Sequence, residues 1–240
     1  MTIRKNSRPL AKLQYRSEPR FEVASGRTAL VIVDVQYSCA HRDHGDGLEA
    51  RAKGMVQELA HRFEHIDKII PNIQLVQRAC RAAGIEVIFV RIAGLTEDGR
   101  DHPQRPRPHY STKDAQILEE IAPVGDEIVI SKTTSSAFTS SHIDYLLRSM
   151  RIENLFVCGV STGSCVEMTA RDASDLDYRV IVIGDCCATD GPDAHVHALE
   201  AMNQFRMRVK DTAEVIAMIE AAVPRSLRSA GDDRVRATAT

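Results

Sequence analysis

The chain has 240 residues, 43% hydrophobic and 27% charged, which is the composition of an ordinary globular protein long enough to bury a core without staples. A formal net charge of −2 gives no global attraction to nucleic acid or an anionic membrane, and no run approaches the roughly 18 apolar residues of a membrane span. The N-terminal MTIRKNSRPLAKLQYR is basic but lacks the apolar stretch of a secretory signal, so a cytoplasmic protein is expected. Six cysteines (Cys39, Cys80, Cys158, Cys165, Cys186 and Cys187) form no CxxC pair, which argues against a thiolate zinc site. A disulfide framework is equally unexpected in a long chain with no export signal.

In chain order, residues 1–25 carry six Lys/Arg with few apolar anchors and read as an arm, either loose or wrapping a neighbouring subunit. TALVIVDV (28–35) is the first buried strand and ends in an acid. Residues 61–83 repeat Ile66, Ile69, Ile70, Ile73 and Val76 at helical spacing and stop at Gly84. Strands follow at 85–92, 126–132, 154–160 and 178–185, with a short sixth near 206–209, and helical segments at 140–150, 165–176, 193–205 and 211–222. Near-continuous Val/Ile runs alternating with helices predict a doubly wound, mostly parallel six-stranded α/β sheet with helices on both faces. The domain is expected over 26–223, with a tail at 224–240. The stretch 93–111 carries three prolines and is long for a compact domain, which suits a substrate loop.

In such sheets the active site forms beyond the carboxyl ends of the strands. The first strand ends at Asp34, the third at Lys132, and the fourth runs through CGVSTGSC to Cys165 at the predicted start of a helix. An acid, a base and a thiol are thus delivered to one rim. A helix N-terminus and a lysine ammonium are both expected to lower the thiol pKa. A carboxylate within reach can take its proton and return it to a leaving nitrogen. The small residues Ser161, Thr162, Gly163 and Ser164 would let a substrate carbonyl approach backbone N–H donors. Read singly, each of these has an ordinary structural explanation: Asp34 a cap or surface acid, Lys132 a solvated loop, Cys165 core. Tyr37 and Phe138 are candidate apolar walls for a planar amide, or plain packing.

The segments ALVIVDVQ, ISKTTSSAFTSS and CGVSTGSCVEMTARDASDLDYRVIVIGDCCATD resemble the isochorismatase-like cysteine hydrolase superfamily over about residues 27–222. The resemblance implies an Asp34–Lys132–Cys165 triad, a covalent acyl-enzyme intermediate and no required metal or cofactor. It also implies a non-proline cis peptide at Val160–Ser161, with the N–H groups of Ser161 and Cys165 aimed at an oxyanion. Relatives of this kind are commonly dimers or tetramers, so a homo-oligomer is expected.

Within the superfamily, isochorismatases lack the nucleophilic cysteine, and His102 and His109 do not reproduce the metal-binding pattern of nicotinamidases. The His41, Asp43, His44 and Asp46 cluster reads as a polar loop. STGSCV is similar to the corresponding run of N-carbamoylsarcosine and maleamate amidases, whose helix-borne glutamine maps to Gln204; Thr162 and Gln204 are therefore expected at the substrate. Those enzymes carry a carboxylate-binding arginine after the fifth strand, where this chain has Ala188-Thr189-Asp190. An acidic substrate would then need Arg105 or Arg107. DCCATD is closer to biuret hydrolases, which favours a neutral ureide such as biuret or triuret, or another carbamoyl compound. Nicotinamidase or maleamate-type activity and a redox-sensing thiol module are the alternatives. No nucleic-acid or membrane partner is expected.

Overall fold

A computed structural model of the chain describes residues 20–105, 107–204 and 206–222. Most of the expected arm and all of the tail at 224–240 lie outside the described residues. Six strands form one all-parallel sheet: β1 (Thr28–Val33), β2 (Glu86–Ile92), β3 (Ile128–Lys132), β4 (Asn154–Val160), β5 (Arg179–Ala188) and β6 (Met207–Lys210), in the spatial order β3-β2-β1-β4-β5-β6. The order reverses between β1 and β4, which therefore form the switch point where such folds open a crevice. Both strands are buried at every position, as expected of strands covered on two faces.

The helices are α1 (Tyr37–Ala40), α2 (Gly45–Ala52), α3 (Val56–Ala82), α4 (Ala137–Ser140), α5 (Ile143–Ser149), α6 (Glu167–Asp175), α7 (Pro192–Met202) and α8 (Thr212–Ala222). Helix α3 buries Phe63, Ile66, Ile69, Ile73, Val76 and Cys80 along one stripe, each large apolar side chain contributing about 1.5–3 kcal/mol of burial. It starts five residues before the expected 61 and runs through Pro71. A proline removes one helical hydrogen bond, and the apolar stripe outweighs that loss. Gly84, at φ +64, ends the element where the sequence indicates, because a left-handed residue costs least as glycine.

Two departures matter for the site. Strand β5 continues three residues past the expected end, through Cys186, Cys187 and Ala188, all fully buried. The helix expected from residue 165 begins only at Glu167; Thr162–Val166 forms a π-helical turn instead. Among the described residues no helix is long and apolar enough to cross a membrane.

Candidate active site

Register explains how three distant residues meet. Val33 pairs with Gly159 across β1 and β4, and Ile92 pairs with Lys132 across β2 and β3, so the next residues of β1 and β4, Asp34 and Val160, end on the same rim. Lys132 and Asp34 are separated by β2, roughly 10 Å at the usual strand spacing, and the four-carbon lysine stem closes that gap. Lys132 Nζ donates to Asp34 Oδ2 at 2.6 Å and to the Thr134 carbonyl at 3.0 Å. The pair is buried, each residue 1% exposed. Asp34 takes a left-handed φ of 53° and its N–H donates to the Val90 carbonyl at 2.8 Å. Between the two strands Gln36, also buried, brackets the end of β2: its Oε1 accepts from the Ile92 N–H at 2.6 Å and its Nε2 donates to the Ile92 carbonyl at 2.9 Å.

The approach of β4 to β1 depends on Gly159. Its φ is +125°, and a Cβ there would lie 2.0 Å from the Val33 carbonyl oxygen. The following peptide, Val160–Ser161, is cis. Beyond it, the Ser161 carbonyl accepts from the N–H groups of Ser164 and Val166. In an α-helix that carbonyl would serve the Cys165 N–H, so the π register passes Cys165 over. Single π turns recur at functional sites. Ser161 Oγ lies 3.0 Å from Thr189 Oγ1.

Cys165 is half-buried and interacts with both Asp34 and Lys132. Asp34 Oδ1 is buried and has no hydrogen-bond partner, so the thiol–carboxylate contact is not closed at rest; catalytic hydrogen bonds often tighten only with substrate present. The expectation of a lowered thiol pKa is corrected here. Burial first, and then the Asp34 carboxylate, push the thiol up against the opposing pull of Lys132. Burial likewise raises Asp34, with Lys132 offsetting it. The resting pair is therefore a thiol beside a buried carboxylate of enhanced basicity, suited to proton transfer during attack rather than to a standing thiolate.

These residues open onto a cavity of about 550 Å³, within the usual range for small-molecule sites. Its floor is formed by Asp34, Val160, Ser161, Ser164 and Cys165, and its walls include Cys39, Asp46 and Arg62. From the proline-rich 93–111 stretch come Gln104, Arg105, Arg107 and Pro108. Arg62, on α3, donates to Asp46 at 2.6 Å and to Asp190 after β5. In the polar loop, His44 pairs with Asp114 at 2.7 Å and Asp43 with Arg51 at 2.6 Å.

The side chains expected at the substrate lie elsewhere. Tyr37 is buried under Lys113, whose Nζ sits 4.0 Å from the ring centroid, beside the rings of His41 and His44. Phe138 packs on Tyr178 with ring centroids 5.7 Å apart. Gln204, two residues past α7, donates through Nε2 to the Ala201 carbonyl in the last turn of that helix. Thr162 is fully buried and its Oγ1 meets His195 Nδ1 at 2.9 Å. None of the four lines the cavity: the turn points Thr162 towards α7, and Gln204 is used in ending that helix.

The Thr162–His195 contact carries a stability prediction. Burial, then His65 and His61, hold the His195 pKa down from 6.5 to about 4. The folded state thus binds this proton less tightly than the unfolded chain. The stability tied to the neutral ring is complete above 6.5 and is lost as pH falls towards about 4. His195→Asn keeps a polar partner for Thr162 without titrating, so its urea midpoint is expected to change less than that of the wild type over this window. Equal pH dependence in the two proteins would remove His195 from the effect.

A family model described as "Isochorismatase domain" matches residues 28–214. Ureidoacrylate amidohydrolase RutB of Pseudomonas savastanoi is 31% identical over 78% of this chain and 81% of its own length. The protein of the same name from Acinetobacter baylyi is 28% identical over 84% and 87%. Among solved structures, a cysteine hydrolase from Pseudomonas syringae superposes with a TM-score of 0.71 at 26% identity, covering 87% of this chain and 99% of that one. N-carbamoylsarcosine amidase from Thermoplasma acidophilum shares the fold at a TM-score of 0.61 and 22% identity, over 78% and 96%. With the match spanning most of the chain, this protein belongs to the isochorismatase-domain family.

Proposed function

We propose that the protein is a cysteine-dependent amidohydrolase that removes ammonia from a ureide or carbamoyl compound through a thioester intermediate. The observation that supports it most directly is the meeting of Asp34 and Cys165 on the lining of one cavity, with Lys132 buried behind them against Asp34. The relatives named for ureidoacrylate make ureido compounds the natural substrate class to test.

In this reading Asp34 takes the Cys165 proton as sulfur adds to the carbamoyl carbon. The carbonyl oxygen becomes an oxyanion held by the N–H groups of Ser161 and Cys165. Lys132, fixed by two hydrogen bonds, keeps the Asp34 carboxylate oriented and compensates the negative charge of the thiolate. The C–N bond breaks as protonated Asp34 returns its proton to the departing nitrogen, releasing ammonia and leaving an S-carbamoyl thioester. Asp34 then takes a proton from water, whose oxygen attacks the same carbon and expels the thiol. A substituted carbamate leaves and decomposes to the amine and carbon dioxide.

Intact-protein mass spectrometry with excess ureidoacrylate should trap an adduct at Cys165. A protein that releases no ammonia from any ureide, and gains mass only with peroxide, would instead be a redox-sensing thiol module. The pH–rate profile offers a second check. Asp34 must be ionised to accept the proton, and burial holds its pKa above the usual 3.8. Activity is therefore lost as pH falls through a value above the ordinary carboxylate range. A kcat/KM that shows no acidic limb between about pH 8 and about pH 4 would rule Asp34 out as the base.

A further inference from the structure

The charges around the cavity do not cancel, and the imbalance identifies what the ligand must bring. Each carboxylate on its wall already has a cationic partner. Asp34 is paired with Lys132, Asp46 and Asp190 share Arg62, and Glu49 pairs with Lys53. Of the charged residues lining the cavity, only Arg105 and Arg107 have no ion-pair partner among the described residues. Arg107 is half-buried and its Nε is buried without a hydrogen-bond acceptor. A guanidinium donor left in that state is unfavourable until an acceptor arrives.

The two guanidiniums also act on each other. Burial first, and then Arg105, disfavour the charge on Arg107, while Cys165, Asp34 and Cys39 favour it, so Arg107 lies within electrostatic range of the reacting groups. The backbone that presents it is held in place. The Gly94 N–H donates to the Pro108 carbonyl at 2.8 Å and the Tyr110 N–H to the Gly94 carbonyl at 3.1 Å. A Cβ on Gly94 would come within 3.2 Å of the Arg107 carbonyl oxygen. Asp101 further ties the start of the loop, accepting from the Leu95 N–H and the Thr96 hydroxyl at 2.7 Å each.

We infer that Arg107, assisted by Arg105, is the specificity-determining anion site of this cavity, and that the substrate is a ureido acid. Its terminal carbamoyl group is placed on Cys165 and its carboxylate on the guanidiniums of the 93–111 loop. The site takes over a task for which the position after β5 is unsuited, since Asp190 there holds Arg62. A neutral biuret-like ureide would leave both cations uncompensated. This inference rests on the proposed amidohydrolase reading, and its test separates the two.

The test compares 3-ureidopropionate, its neutral isostere 3-methylbutylurea and biuret, read by ammonia release. The wild type is expected to favour the acid over the isostere by at least about 100-fold in kcat/KM, mostly through KM, as a charge-assisted bidentate contact supplies. Arg107→Gln should reduce that preference roughly 30- to 100-fold. Arg107→Lys should retain an intermediate preference, as a point charge without the planar fork, and Arg105→Gln should cost less than Arg107→Gln. Circular dichroism checks that each variant folds; should Arg107→Gln not fold, Arg107→Lys and Arg105→Gln decide. An unchanged acid-to-isostere ratio in the Arg107 variants, or biuret turned over faster than the acid, overturns the inference. Should no compound release ammonia, the amidohydrolase reading fails by itself. Calorimetric titration of Cys165→Ser with 3-ureidopropionate and 3-methylbutylurea then still decides the anion site: selective binding of the acid, lost with Arg107→Gln, supports it, and equal or absent binding refutes it.

Discussion

Cys165→Ser is expected to fold like the wild type and to lose at least about 10⁴-fold of its ammonia release. The exchange replaces one half-buried sulfur in a turn held by backbone hydrogen bonds from Ser164 and Val166, so stability should change by no more than about 1 kcal/mol. Chemistry is another matter. A serine hydroxyl is a far weaker acid than a thiol, and one carboxylate, even one made more basic by burial, cannot activate it as a histidine relay does. A purified variant retaining a tenth of wild-type turnover would mean that another group is the nucleophile. The other cysteine on the cavity wall, Cys39, makes a poor substitute, since burial and Asp34 push its pKa up to about 12.

Lys132→Met should damage both folding and function. Methionine preserves the apolar stem but removes the ammonium that donates to Asp34 Oδ2 and the Thr134 carbonyl. With Oδ1 already unpartnered, the whole carboxylate would then be buried without a donor. Breaking a buried ion pair in this way costs about 3–5 kcal/mol. The variant can avoid part of that cost by protonating Asp34, whose pKa then rises further because the lysine no longer holds it down. Since the folded state would bind this proton more tightly than the unfolded chain, stability survives at low pH and is lost as pH rises through the elevated pKa. Urea titrations at about pH 5 and about pH 8 should show the larger deficit at the higher pH. A protonated Asp34 is no longer a base, so kcat/KM should fall by at least about 10³-fold at neutral pH. Equal stability of the variant at the two pH values would mean that Asp34 is not compensated by Lys132 in the way the hydrogen bonds indicate.

The rim of the sheet was legible because its logic is local: a buried Val/Ile run announces each strand, and whatever follows the run sits on the carboxyl edge. Asp34, Lys132 and the turn to Cys165 could therefore be placed without coordinates, and the structure brings them together. What surrounds them was not legible. Arg62 reaches Asp190 across 128 positions and Thr162 reaches His195 across 33, and neither contact leaves any periodic trace in the chain. Motif position alone points Thr162 and Gln204 at the substrate, and one turn of π register and one helix end send them away from the cavity. The direction of the Cys165 pKa failed for a related reason. A helix start and a lysine can be read from a motif, but the depth at which they are buried cannot, and burial is the larger effect here. Arg105 and Arg107 were visible as residues of a long loop; that they are the uncompensated charges became apparent only once every acid on the wall had found its partner.

The left-handed backbone at Asp34 restricts how its role can be probed. A φ of 53° is tolerated by Asp and Asn far better than by other side chains with a Cβ. Alanine or a branched residue there would mix a conformational penalty at the end of β1 with the loss of the carboxylate. Asp34→Asn is thus the informative exchange, because it leaves the turn geometry alone and confines the change to the carboxylate's charge, which removes the base and the ion-pair partner of Lys132 together.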